Sequence, residues 1–168
     1  MFKNLLILAL ATLSFGTFAN SGKAIVNHFQ AFSAAPGNNQ MNSVIYVTNT
    51  ATEKVSVTIT LYNHDGTIIG EQDNNPAAGL IKVTGGQNYT DSSTYTSRFE
   101  LSANSTARLL SDVPYNADMF GYAVVEWEKA ENSTTVLQNA LVSHAVIYRS
   151  YGNNVGYYSV QVNNGAPF

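Results

Sequence analysis

From Val55 to Tyr62 the chain alternates without a break: Val55, Val57, Ile59 and Leu61 take one set of positions, Ser56, Thr58, Thr60 and Tyr62 the other. Successive strand residues point to opposite faces, so this spacing predicts an antiparallel strand with one face in a core and the other in solvent. The run stops at Asn63-His64-Asp65-Gly66-Thr67, where Asp-Gly tolerates positive φ, and Thr67-Ile68-Ile69 is expected to return as the second strand of a hairpin.

The same texture recurs along the chain, and no long segment carries the i, i+3, i+4 stripe of an amphipathic helix. Strands are predicted at Lys23 to Phe32, closed by the turn cluster Ala35-Pro36-Gly37-Asn38-Asn39, and at Ser43 to Thr50, where crowded Val44, Ile45, Tyr46 and Val47 indicate a central strand covered on both faces. Asp73 to Gly79 reads as a loop, Leu80 to Thr84 as a short strand, and Gly85-Gly86-Gln87-Asn88 as a turn into a polar stretch reaching Ser97. Arg98 to Leu101 and Arg108 to Leu110 flank a turn at Ala103-Asn104-Ser105. Gly121 to Glu128 is a strand with Ala123, Val125 and Trp127 inward. Val136 to Ser150 favours strand, with room for a short helix around Ala140-Leu141-Val142, and Gly156 to Val162 is the last strand. Nine or ten short strands separated by turns predict an all-β fold, an antiparallel two-sheet β-sandwich.

The polar remainder of the chain is Asn, Ser, Thr and Gly rather than Lys and Glu; charged residues are 11% of 168 and the formal charge is −3. An electrostatic nucleic-acid binder needs a Lys/Arg excess that is missing here, so no nucleic-acid partner is expected. Met1-Phe2-Lys3-Asn4, the apolar run Leu5 to Phe15 and the small residues Thr17 and Ala19 have the form of a secretory signal peptide, residues 1–19, leaving one domain at 20–168. The apolar run is shorter than the roughly 20 residues a spanning helix needs, and no later segment reaches that length, so no transmembrane segment is expected after cleavage. An exported, cysteine-free chain points to a bacterial source and to a secreted, periplasmic or cell-surface location.

Val47-Thr48-Asn49-Thr50, then Val55 to Gly66, then Phe99-Glu100-Leu101-Ser102-Ala103-Asn104-Ser105-Thr106 resemble bacterial extracellular immunoglobulin-like domains. The texture is also similar to the β-sandwich of the sensory rhodopsin transducer family, whose members assemble as oligomers. The resemblance covers about half the mature chain and implies an immunoglobulin-like fold, with oligomerisation allowed. It carries no site, because its motifs are strand alternation and turns.

Candidate chemistry is sparse. Without cysteine there is no disulfide, thiolate site or cysteine nucleophile. His28, His64 and His144 lie in no metal-binding spacing, and adjacent Ser143 and His144 point to opposite faces of a strand. Glu126 and Glu128 share a strand face about 7 Å apart, a spacing compatible with glycoside hydrolysis, but they read better as solvent-face residues around an inward Trp127. Asp65 and Asp73-Asn74-Asn75 follow no calcium-loop spacing. No catalytic residue, metal or cofactor is expected. Tyrosine is the remaining resource: Tyr151, Tyr157 and Tyr158 are the candidate binding residues, since planar rings contact proteins or sugars at low entropic cost. The expected function is therefore a non-enzymatic exported domain working through protein contacts or self-association, as a surface, matrix or self-assembling structural component. The alternative is a carbohydrate-binding or adhesive module using the same tyrosines. The alternating strand from Lys23 to Phe32 is a candidate for pairing either within its own domain or with a neighbouring copy.

Overall fold

A computed structural model describes residues 20–34, 39–69, 81–92, 96–111, 118–130, 135–152 and 154–168. Ten strands run through them: β1 (Ser21–Ala34), β2 (Asn39–Asn49), β3 (Val55–Asn63), β4 (Ile81–Thr84), β5 (Gln87–Ser92), β6 (Thr96–Leu101), β7 (Thr106–Ser111), β8 (Asp118–Lys129), β9 (Leu141–Tyr151) and β10 (Asn154–Gln161). One 3-10 turn follows at Asn163–Gly165. The protein is all-β, with an antiparallel sheet curled into a half-barrel. The signal segment expected at residues 1–19 and the loop expected at Asp73 to Gly79 lie outside the described residues.

The architecture turns on β2. One of its edges pairs with β9 along its whole length, from Asn39 to Asn49. The other edge is divided: β1 takes Asn39 to Met41, and β7 takes Ser43 to Thr48. β1 then leaves β2 for β8, and the ladder continues through β3 and β6 to β5, while β7 carries β4. Hydrogen bonding is thus continuous through the β1–β2 corner. The half β10-β9-β2-β7-β4 and the half β1-β8-β3-β6-β5 share one core.

A strand that departs from its neighbour leaves backbone groups without partners, and buried groups of that kind must be satisfied some other way. At the fork the buried Ser43 does this: its Oγ accepts from the Gln30 N–H at 2.8 Å and donates to the Gln30 carbonyl at 2.8 Å. Ser111 completes the fork, its Oγ accepting from the Ser43 N–H and donating to the Ser43 carbonyl, both at 3.1 Å. An irregularity between Val26 and Phe29 falls just before this point in β1, where an extra residue increases local bend and twist.

The core follows the alternation. Val55, Val57, Ile59 and Leu61 are fully buried and face Phe99, Leu101, Ala123, Val125 and Trp127 from the same half, and Ile45, Val47, Leu109 and Leu141 from the other. Asn49 is buried without cost to hydrogen bonding: its Nδ2 lies within 2.8–3.1 Å of the carbonyls of Glu53, Leu101 and Ser102, and its Oδ1 accepts from the Ala51 N–H at 2.9 Å. The chain end packs on this core, with Val162 and Phe168 buried.

The structure refines the sequence expectations at four places. The polar stretch after Gly86 is strand, β5 and the start of β6, because β3 supplies β6 with a ladder and β6 supplies β5. β6 and β7 flank the Asn104 turn but do not pair; the turn carries the chain from one half to the other, tightened by the Ser105 Oγ donating to the Ser102 carbonyl at 2.6 Å. No helix forms around Ala140-Leu141-Val142: Leu141 and Val142 open β9, and Leu137 and Ala140 are buried as irregular chain before it. β2 is central as expected, though only one face is fully buried; Val44 and Tyr46 on the other are half-buried.

Candidate interaction surface

β9 and β10 form a hairpin in which Tyr151 pairs with Asn154, and register is unbroken to His144 opposite Gln161. The strand leaves Tyr151 through Gly152 at φ +57°, the left-handed region glycine reaches without strain. β9 is held by β2, but β10 ends the ladder. Every β10 residue except Val160 is exposed, with Tyr157 76% accessible, Val155 56% and Tyr158 49%. No charged side chain interrupts Asn154 to Gln161. The Gln161 end lies beside β1, where a groove of about 500 Å³ opens between Lys23, Ile25 and Gln161. The open edge is therefore Asn154 to Val160.

The three candidate tyrosines sit together on this hairpin but not on one face. Tyr157 is opposite Tyr148, so these two share the outer face of the sheet. Tyr158 is opposite the buried Ile147, and Tyr151 has the same parity as Ile147, so both lie on the core side, beyond the edge of the core. Arg149 is opposite Gly156 on that same side, and a Cβ placed on Gly156 would meet nothing within 4 Å. Sequence reading missed Gly156, Arg149 and Val155 as parts of this surface. The findable signal was Gly152-Asn153, a hairpin dipeptide between two apolar runs.

A second exposed face lies on the other half. Lys23 meets Glu126 at 3.1 Å, Arg98 pairs with Glu128, and Lys54 meets Glu100 at 2.8 Å. An open groove of about 440 Å³ runs between Lys23, Thr58, Arg98, Glu126 and Glu128. A carboxyl pair that cleaves glycosides works where one member is desolvated and kept protonated. Glu126 and Glu128 instead stand on an open face, their side chains 45% and 57% accessible, each beside a cation. Along the same half, Tyr62 stacks on Tyr122 with ring centres 4.8 Å apart, and His64 stacks on Phe120 at 4.6 Å. His144 stacks on Tyr46 across the β2–β9 pair, so the histidines are spread over both halves. Among the described residues no three His, Asp or Glu side chains gather as a metal site would require.

At the β3 turn, Asp65 Oδ1 accepts from the Thr67 N–H at 2.9 Å and hydroxyl at 2.6 Å, and these bonds, the hydroxyl first, hold its carboxyl below the usual range. Glu100 is lowered likewise, first by Lys54 and then by the Asn88 amide. Asp65 is an exposed turn group and Glu100 a half-buried group on β6, and both fix local geometry. No helix among the described residues is long and apolar enough to cross a membrane.

An antiparallel all-β domain with an exposed tyrosine hairpin is the class these features define. No known protein family matches the sequence, and no curated protein matches it. Among solved structures, Thermotoga maritima 1070 is similar over 83% of this chain and 90% of that one, at 12% identity and a TM-score of 0.46. A collagen-binding domain from a Staphylococcus aureus adhesin aligns over 81% and 97% at 8% identity and a TM-score of 0.25. Neither score reaches the level of a shared fold, so neither bears on function.

Proposed function

We propose that residues 20–168 form an exported, immunoglobulin-like β-sandwich. It acts without catalysis in the secreted, periplasmic or cell-surface space, through protein contacts, as a surface, matrix or self-assembling component. The signal-like segment at residues 1–19 supports export, and the two halves closing on one core support the sandwich reading. The single observation that carries the function is the β10 edge, uncharged, tyrosine-bearing and exposed along its length. Proteins normally protect such edges with charge, proline or a covering loop, so leaving one open suits strand pairing with a partner. Division of Tyr157 and Tyr158 between opposite faces favours this over a sugar site, which stacks a ring on a single platform.

Replacing Tyr151, Tyr157 and Tyr158 together by Ser in the producing cell tests the proposal. The variant is expected to be exported and to melt cooperatively, yet to leave the surface-associated or sedimenting fraction. Unchanged fractionation overturns it; binding on a glycan array that vanishes in the same variant replaces it with the carbohydrate reading.

A further inference from the structure

We infer that the occupant of the β10 edge is the β10 edge of a second copy of this chain, paired antiparallel with Tyr157 on the two-fold axis. The inference rests on the protein-contact reading above and names its partner.

A two-fold axis through a shared sheet keeps each residue on its own face, so residue i can only oppose a residue of equal parity in the other copy. The open edge runs from Asn154 to Val160, and its midpoint is Tyr157. Centring there opposes Tyr157 to itself, Val155 to Ser159 and Gly156 to Tyr158. On the outer face the Tyr148–Tyr157 row of one copy then runs into the same row of the other. On the core side, the Tyr158 ring of each copy lies over the Gly156 of the other, filling the space that the missing side chain leaves open. A ring folded over a cross-strand glycine shields its backbone and restores packing that glycine lacks. Arg149, opposite Gly156 on the same face, then stands next in the row to that ring, within reach for a guanidinium to be attracted to the aromatic face. Charge agrees as well: an isologous interface opposes each residue to its own kind, so a lysine or glutamate near the axis would repel itself, and β10 has neither.

Because the chain has no cysteine, single-cysteine variants report the register without background. Opposed residues lie about 4.5–5.5 Å apart at Cα, inside the about 4.4–6.8 Å range of a disulfide. Under mild oxidation the mature Tyr157→Cys variant is expected to form a covalent dimer. Tyr158→Cys alone should not, and Val155→Cys mixed with Ser159→Cys should give the hetero-linked dimer. Light scattering should show a dimer for the unmodified chain, and Tyr157→Lys, at a position exposed enough to spare the fold, should weaken association about tenfold. Linking of Tyr157→Cys no faster than of Thr58→Cys on the other half, or a strict monomer at high concentration, overturns self-pairing. A monomer whose triple-serine variant still leaves the surface fraction overturns only the second copy as occupant and leaves the protein-contact reading standing. Unchanged fractionation with an intact Tyr157→Cys dimer overturns that reading instead.

Discussion

The indole N–H of Trp127 donates to the backbone carbonyl of Phe168 at 2.6 Å, joining the last residues of β8 to the docked segment after β10. Phe168 also exchanges backbone hydrogen bonds with Leu141, its N–H donating at 2.9 Å and its carbonyl accepting at 3.2 Å. The end of the chain thus bridges β8 and the first residue of β9, one strand from each half. Trp127→Phe keeps most of the apolar volume and removes the donor. It should lower stability by about 1–3 kcal/mol, the cost of a buried hydrogen bond lost with its acceptor left in place. Urea denaturation checks it; an unchanged midpoint would show that the bridge contributes nothing.

Gly121 is required for a different reason. A Cβ there would sit 1.9 Å from the carbonyl oxygen of Tyr62, a backbone atom that cannot rotate away. Gly121→Ala should therefore force β8 from β3 and destabilise by about 1–3 kcal/mol, with the Tyr62–Tyr122 stack disrupted. Thermal melting and near-ultraviolet dichroism read both effects. A melt and tyrosine signal like those of the parent would contradict the close approach.

The two faces of β3 should respond oppositely to the same charge. Ile59 is fully buried, so Ile59→Asp places an unpaired carboxylate in the core, a several-kcal/mol penalty against a typical total of about 5–15. Thr58 lines the open groove beside Arg98, so Thr58→Asp should leave the fold intact. Melting temperatures separate the variants, and equal values would mean the register is wrong.

Asp65 sets an acid dependence whose sign is fixed. Its pKa is lower in the folded state than in the unfolded chain, so its contribution is present above the unfolded value, near about pH 4, and is lost as pH falls through the folded one. Asp65→Asn should remove that contribution at neutral pH and flatten the loss of stability below about pH 4, so that the two proteins converge in acid. Melting followed from pH 2 to 7 tests this; parallel curves for the two proteins would assign the acid dependence elsewhere, Glu100 being the next group with the same sign.

What the sequence disclosed divides along a physical line. β3, β8 and the core half of β2 were legible because each sets its large apolar residues on one face, a period of two, although Ser56 and Thr60 on the other face of β3 and Val124 on that of β8 are buried as well. β10 was placed only roughly, since both its faces meet water and nothing forces its residues to alternate. Arg98 to Leu101 of β6 was legible, but β5 and the first residues of β6 read as a turn and a polar stretch because they carry no apolar alternation and their order comes from a neighbouring ladder. Ser43 and Ser111 carried no signal at all. Their hydroxyls matter only because the fold brings together positions 68 residues apart, and at its fork replaces missing ladder bonds with side-chain ones. The candidate tyrosines were recognisable as a cluster, but their separation onto two faces needed the register opposite Tyr148 and Ile147.

The divided edge of β2 also dictates an order of events. As the chain emerges from its N-terminus, β2 appears early, yet its partner β7 begins at Thr106 and its partner β9 at Leu141. Ties such as Ser143 Oγ to the Tyr46 carbonyl span 97 positions. Until β9 has been made, the strand that anchors both halves lacks its full-length partner, and closing such long loops is slow. A newly synthesised chain keeps that aggregation-prone edge open until β9 arrives, so its folding yield depends on this loop closure as well as on final stability.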